Sequence, residues 1–179
     1  NINYSFYTNK IYSIVGPSGS GKSTLLNLIS LIDRPSSGQI YLNEKKINSN
    51  KIQENDVIRA SNISIIYQDN NLLNDFTALE NVMLTRLANN TDETIALKDA
   101  KKILKTLKLD KRANHYPSEL SGGEMQRIAI ARAIINSPNI ILADEPTGSL
   151  DFKNSKEVIK LLFKLKNRNR VVIFATHNT

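Results

Sequence analysis

Cysteine is absent from the 179 residues, so neither a disulfide framework nor a thiolate metal centre can form, and the chain suits a reducing compartment. Long apolar runs are missing too. None approaches the ~20 residues with which a helix crosses a bilayer, and the N-terminal residues lack the charged and apolar regions of a secretory signal. Internal repeats and low-complexity linkers are also missing. A formal net charge of +7 would suit nucleic acid or a membrane surface if it were clustered. Instead the lysines run from Lys45 and Lys46 through Lys98, Lys101, Lys102 and Lys105 to Lys160 and Lys166, mostly at solvated-face spacing. The joint abundance of Ile, Asn and Lys fits coding bias, and no nucleic-acid partner is expected. A chain of this length supports one α/β core rather than two complete domains. Its first residue is Asn rather than Met, and its last apolar strand stands against the C-terminus, so it reads as a segment of a longer protein.

Against these absences stands one glycine-rich run. Gly16, Pro17, Ser18, Gly19, Ser20, Gly21, Lys22, Ser23 and Thr24 follow the apolar stretch Ile11 to Val15 and open a helical pattern. That is the strand–loop–helix context a phosphate-cradling loop requires. The glycines let successive N–H groups point into one concavity. Lys22 adds a point charge, Ser23 offers a hydroxyl to Mg²⁺, and the helix aims the positive end of its dipole at the same anion. The chain is therefore expected to bind a nucleotide, and any metal would arrive with it.

Periodicity supplies the architecture. Asn3 to Tyr7 alternates and Ile11 to Val15 is continuously apolar, which predicts two N-terminal strands, with a helix from the glycine loop to about Ile32. The turn cluster from Arg34 to Gly38 leads to a strand over Gln39 to Leu42, then a Lys/Asn-rich connection, then a buried strand over Ile63 to Tyr67. From Thr77 to about Leu109 the period is helical, with one stripe at Leu79, Val82, Met83 and Leu87 and another at Ile95, Leu97, Ala100, Ile103, Leu104 and Leu107. Pro117 and Ser118 break it. A Gly-Gly pair opens a further amphipathic helix through Ile128, Ile130, Ala131, Ile134 and Ile135. The strand Ile140 to Ala143, a helix from about Asn154 to Leu165 and the strand Val171 to Ala175 follow. Strands alternating with helices imply an α/β fold with a mainly parallel sheet covered on both faces.

Five more segments stand in a telling order: Gln68 at a strand end, Leu120-Ser121-Gly122-Gly123-Glu124, Asp144-Glu145, Ser149-Leu150-Asp151, and His177. With the glycine loop they resemble the ATP-binding-cassette (ABC) ATPases over the whole chain. The resemblance implies the P-loop NTPase fold with N-terminal antiparallel strands, a RecA-like core over 1–76 and 137–179, and a helical subdomain over about 77–136. It implies ATP and Mg²⁺ as ligands. Asp144, at the carboxyl end of a buried strand beside the P-loop, would hold Mg²⁺ through its water shell together with Ser23 and Gln68. Glu145 would polarise the attacking water, Gln68 would touch both metal and water, and His177 would report the γ-phosphate. Ser121, Gly122 and Gly123 form a second anion site at a helix start, which in this family completes the ATP site of a facing copy, with Asp151 along the interface. Two copies would then pack head to tail around two nucleotides. His115, in a polar loop, carries no such expectation.

Three stretches narrow the resemblance: Leu72 to Val82, Arg112 to Leu120, and Asp144 to Asp151 look like the ATPase subunits of lipoprotein-releasing systems. That implies integral membrane transporter subunits as partners and a place on the cytoplasmic face of the bacterial inner membrane. Macrolide and antimicrobial-peptide exporters and the division-associated cassette share many of these features. A nucleic-acid-linked cassette would need a long coiled coil between P-loop and signature, and no sustained heptads occur there. Leu72, Leu73 and Phe76 suit either contact with membrane subunits or the subdomain core. Glu124 stands where Gln is more widespread, and Asn9 where Gly usually makes a tight turn. The aromatic residue that stacks on adenine in relatives falls upstream of residue 1, so Tyr4 and Tyr7 are not given that role.

Overall fold

A computed structural model describes residues 2–177. Four strands form the central sheet: β1 (Ile11–Val15), β4 (Ile63–Ile66), β5 (Ile140–Asp144) and β6 (Val171–Thr176), in the order β1-β6-β5-β4 with every pairing parallel. In β5 and β6 apolar residues are buried on both faces, as a parallel sheet requires. Along β5 and β6, Ile141, Ala143 and Val172 point to one side, and Leu142, Val171, Ile173 and Ala175 to the other. On the first side they meet Ile130 of α5 (Gly122–Ile134) and Val158 and Leu162 of α6 (Phe152–Lys164); on the second they meet Leu26 of α1 (Lys22–Ile29). Register pairs Val15 with Thr176, Ala175 with Asp144 and Ala143 with Ile66, so all four carboxyl ends emerge along one edge. A crevice outside that edge is where ligands of open α/β sheets bind.

A second apolar cluster sits beside the sheet. It joins α3 (Ala78–Leu87), α4 (Glu93–Thr106) and α5 through Val82, Ala100, Leu104, Ile128 and Ala131, closed by Leu107, Leu109 and Leu120. Both α3 and α4 have well-made starts: Thr77 and Glu80 form a reciprocal capping box, and Asp92 accepts from the amides of Thr94 and Ile95. The fully buried Asn81 side chain holds the loop before α3, donating to the carbonyls of Leu73, Phe76 and Thr77 and accepting from the Leu73 amide.

Several expectations change in detail. Residues 3–7 form no strand: the Tyr7 amide donates to the Tyr12 hydroxyl at 2.9 Å rather than to a ladder, and Tyr4, Phe6 and Tyr12 pack edge to face. The antiparallel pair lies later, as β2 (Tyr41–Leu42) and β3 (Lys45–Lys46), joined by Asn43 and Glu44 with φ of +49° and +63°. Two positive φ values in a two-residue loop match the twist of flanking strands. The Lys/Asn-rich connection contains a helix, α2 (Ile52–Asn62), whose polar composition hid it. The 77–109 stretch is two helices, parted at Asn90 with φ +56°. Ile95, placed in a core stripe by spacing, is half exposed. Asn9 takes φ +58°, the left-handed turn its position predicts.

Candidate functional site

The glycine loop leaves β1 and turns into α1 at Gly21, whose φ of +88° is closed to most side chains. Lys22 is almost entirely buried, and its ammonium donates to the carbonyls of Gly16 at 2.9 Å and Pro17 at 3.0 Å. A buried charge needs such partners. Its third neighbour is Glu145, with Nζ 3.6 Å from Oε1. The other carboxylate oxygen of Glu145 meets Nδ1 of His177 at 2.5 Å. One line of polar contacts thus joins the P-loop, the end of β5 and the end of β6.

Glu145 holds this place through its backbone. It adopts φ +44°, its amide donates to Ala175 at 3.0 Å, and its carbonyl accepts from Gly148 at 2.9 Å. A non-glycine residue in the left-handed region is a strained turn, of the kind that collects at functional sites. Ser23, Tyr67, Gln68, Asp69, Asn71, Asp144 and Glu145 line one cleft of ≈ 280 Å³. Oδ1 of Asp144 is buried there without a hydrogen-bond partner among the described residues. An orphaned buried carboxylate oxygen beside a serine hydroxyl and a glutamine amide fits a hard divalent cation or its water shell. Burial, then the charge of Asp144, raises the Tyr67 phenol above its usual range, and Arg59 opposes this, so the phenol stays protonated. Gln68 packs against the backbone at Gly148, where an added Cβ would stand 2.9 Å from its amide carbon and nitrogen.

The signature segment is built differently. Ser121 caps α5: its Oγ accepts from the Glu124 amide at 3.3 Å and donates to Glu124 Oε2 at 2.9 Å. The hydroxyl expected to join the second anion site is thus engaged within the chain as a helix cap. Gly123 is a packing residue: a Cβ there would fall 2.3 Å from Oδ1 of Asn154 on α6. Asp151 caps α6, accepting from the amides of Lys153 and Asn154 and from the Asn154 side chain, and these bonds draw its carboxyl below the usual range. The P-loop helix α1 packs on β5 and β6, whereas α5 packs on α3, α4, α6 and β4. The two glycine segments therefore belong to different neighbourhoods of one chain.

Other residues of the site carry no recognised motif. Gln126 is fully buried on α5 and donates to the carbonyl of Tyr67 at 3.4 Å. Arg132 donates to the carbonyls of Asn70 and Asn71, at 2.7 and 2.6 Å, across a loop in which both take positive φ. Burial pulls its guanidinium below the usual range without neutralising it. These two side chains tie the loop after Gln68 to α5. Their signal in the sequence was polar residues interrupting an apolar helix. Of Leu72, Leu73 and Phe76, Leu72 packs against the helical cluster, and Leu73 and Phe76 are exposed.

Residues 1–148 match the ABC transporter family, and the chain belongs to it. It is an ATP-binding cassette ATPase of an ABC transporter. It is 46% identical over 178 residues to the lipoprotein-releasing system ATP-binding protein LolD of Rickettsia bellii, covering 99% of this chain and 78% of that one. The LolD of Cytophaga hutchinsonii is 42% identical, with 99% and 81% covered. Among solved structures, the dimeric post-hydrolysis state of the cassette MJ0796 bound to ADP and Pi superposes with a TM-score of 0.88 at 39% identity, covering 99% of this chain and 79% of that chain. No helix among the described residues is long and apolar enough to cross a membrane.

Proposed function

We propose that this chain hydrolyses ATP to drive the release of lipoproteins from a bacterial inner membrane, acting in pairs beneath integral membrane transporter subunits on its cytoplasmic face. Identity near one half to lipoprotein-releasing relatives supports the transport role. The observation that carries the chemistry is the contact line from Lys22 through Glu145 to His177, beside the cleft of Ser23, Gln68 and Asp144.

Phosphoryl transfer to water asks a protein for position and charge stabilisation more than for covalent chemistry. Residues Gly16 to Thr24 present backbone amides and the α1 N-terminus to the phosphates. Lys22, now held on its own loop carbonyls, turns to the β- and γ-phosphates, which frees Glu145 to accept from a water. His177 meets that carboxylate through Nδ1 in this structure, and with nucleotide present a ring N–H turns instead to the γ-phosphate. Ser23, Asp144 and Gln68 would hold Mg²⁺, which when bound neutralises charge on the phosphates. Ser121, Gly122 and Gly123 of a second copy close the site from the far side, with Asp151 at the same junction. The separate neighbourhoods of α1 and α5 support this, since one chain does not fold its signature segment onto its own P-loop.

Glu145→Gln tests the central role. It keeps shape and removes the basic oxygen, so turnover should fall roughly 10²- to 10⁴-fold, as for loss of a general base. ATP binding and ATP-driven pairing should persist, measured by nucleotide titration and sedimentation. Near-normal turnover would overturn the assignment.

A further inference from the structure

The signature segment carries a carboxylate where a triphosphate is to be received. Glu124 Oε2 accepts from both the amide and the hydroxyl of Ser121 at 2.9 Å, and Oε1 accepts from Arg112 Nε at 2.8 Å. These bonds, with that of the Ser121 amide the largest, hold the Glu124 carboxyl down at about 2 against some opposition from burial. Arg112 is itself positioned. Its Nη1 donates to Nε2 of His115 at 3.2 Å, and the carbonyls of Ala113 and His115 accept from the first amides of α3, Leu79 and Ala78, at 2.8 Å each. Glu124 is mostly enclosed, its side chain 18% exposed against 45% for Arg112.

We propose that Arg112 is the counter-charge that allows a carboxylate to stand in the signature segment, and that it is thereby a positioning residue for engagement of the opposing copy's nucleotide. The inference rests on the reading that Ser121 to Gly123 meet ATP in trans. A serine hydroxyl has one proton to donate, and here it goes to Glu124 Oε2. A phosphate oxygen that draws on the same hydroxyl must compete with that carboxylate. It would also sit about two hydrogen-bond lengths from it, on the order of 5 Å, where like charges oppose each other. Arg112 answers both: it withdraws charge from Oε1, weakening the hold on the Ser121 proton, and it offsets repulsion of the incoming anion. A neutral amide at position 124 needs no such partner.

The test compares Arg112→Gln, Arg112→Lys, Glu124→Gln and the double variant Arg112→Gln/Glu124→Gln in the intact protein, reading the ATP concentration for half-maximal pairing and the KM of hydrolysis. Arg112→Gln should raise both roughly tenfold or more at about 0.05 M salt, with the defect shrinking at about 0.5 M as screening shortens the reach of the unpaired carboxylate. Arg112→Lys keeps the charge and should stay within about threefold of the parent. The double variant should match Glu124→Gln, since removing the carboxylate removes the need for its partner. A defect in Arg112→Gln that ignores salt and persists in the double variant would overturn the proposal, as would no defect at all. Gly122→Asp is run alongside. If it pairs normally, the trans reading itself fails; if it does not pair and Arg112→Gln is unaffected, only the role of Arg112 fails.

Discussion

The two glycine-bearing segments, alike in sequence, are opposite in construction. In the P-loop the glycines set backbone direction, Gly19 and Gly21 taking φ of +78° and +88°, and the charged Lys22 waits on weak carbonyl partners that a phosphate can replace. In the signature segment Gly122 and Gly123 are helical, and they serve close packing against Leu150 and Asn154. The Ser121 amide and hydroxyl and the Glu124 amide are paired within the Ser121–Glu124 capping box. On the proposed reading the first segment receives an anion within its own chain, and the second meets one brought to it. Glycine content alone separates neither role.

The largest way to break this contrast is Lys22→Ala. If the P-loop is the chain's own nucleotide site, affinity for ATP should fall about 100-fold, near 3 kcal/mol, as befits loss of a charge-assisted contact in a buried setting. Calorimetry on the isolated protein reads it directly; unchanged affinity would move the site elsewhere. Next comes Gly123→Ala. An added methyl at 2.3 Å from the Asn154 side chain should cost roughly 1–3 kcal/mol of stability, seen as a lowered Tm. Asn154→Ala in the same chain should return part of that loss, and no recovery would mean that the glycine is needed for something besides space. The smallest effect concerns acid. The Glu124 carboxyl sits at about 2 rather than its ordinary 4.5. Because the folded value is the lower, its contribution is fully present above the ordinary value and is lost as pH falls from there toward about 2. Glu124→Gln should lower stability near neutrality, where that contribution is fully present, and flatten the profile as pH falls through that window; an unaltered acid limb would mean the capping box carries no net stability.

Much of the site was legible because its chemistry needs residues of fixed type at strand ends. Lys22 and Ser23 open the helix after β1 and its loop, Asp144 ends β5 and Glu145 follows it, and the parallel register then brings them to one edge. His177 was placed by the same logic, but its partner was not: spacing offered the γ-phosphate, and folding supplied Glu145. The capping box of the signature serine was not separable along the chain from an anion site, since both draw on the same donors. Arg112 and Arg132 were hidden because their partners are backbone carbonyls or a carboxylate brought near by folding. Among the elements, α2 escaped because its one buried residue is Asn55, so it shows little apolar period. Residues 3–7 alternate as a strand should, yet the alternation reflects an aromatic cluster on Tyr12 rather than ladder pairing.

The first turn of α3 hangs from the carbonyls of Ala113 and His115, and the exposed Leu73 and Phe76 are locked to that same turn by Asn81. A push delivered at Leu73 or Phe76 must either drag the loop carrying Arg112 along with it or break backbone bonds worth about 1 kcal/mol each. One run of hydrogen bonds thus leads from Leu73 and Phe76 through the first turn of α3, Arg112 and Glu124 to Ser121 without passing through the sheet.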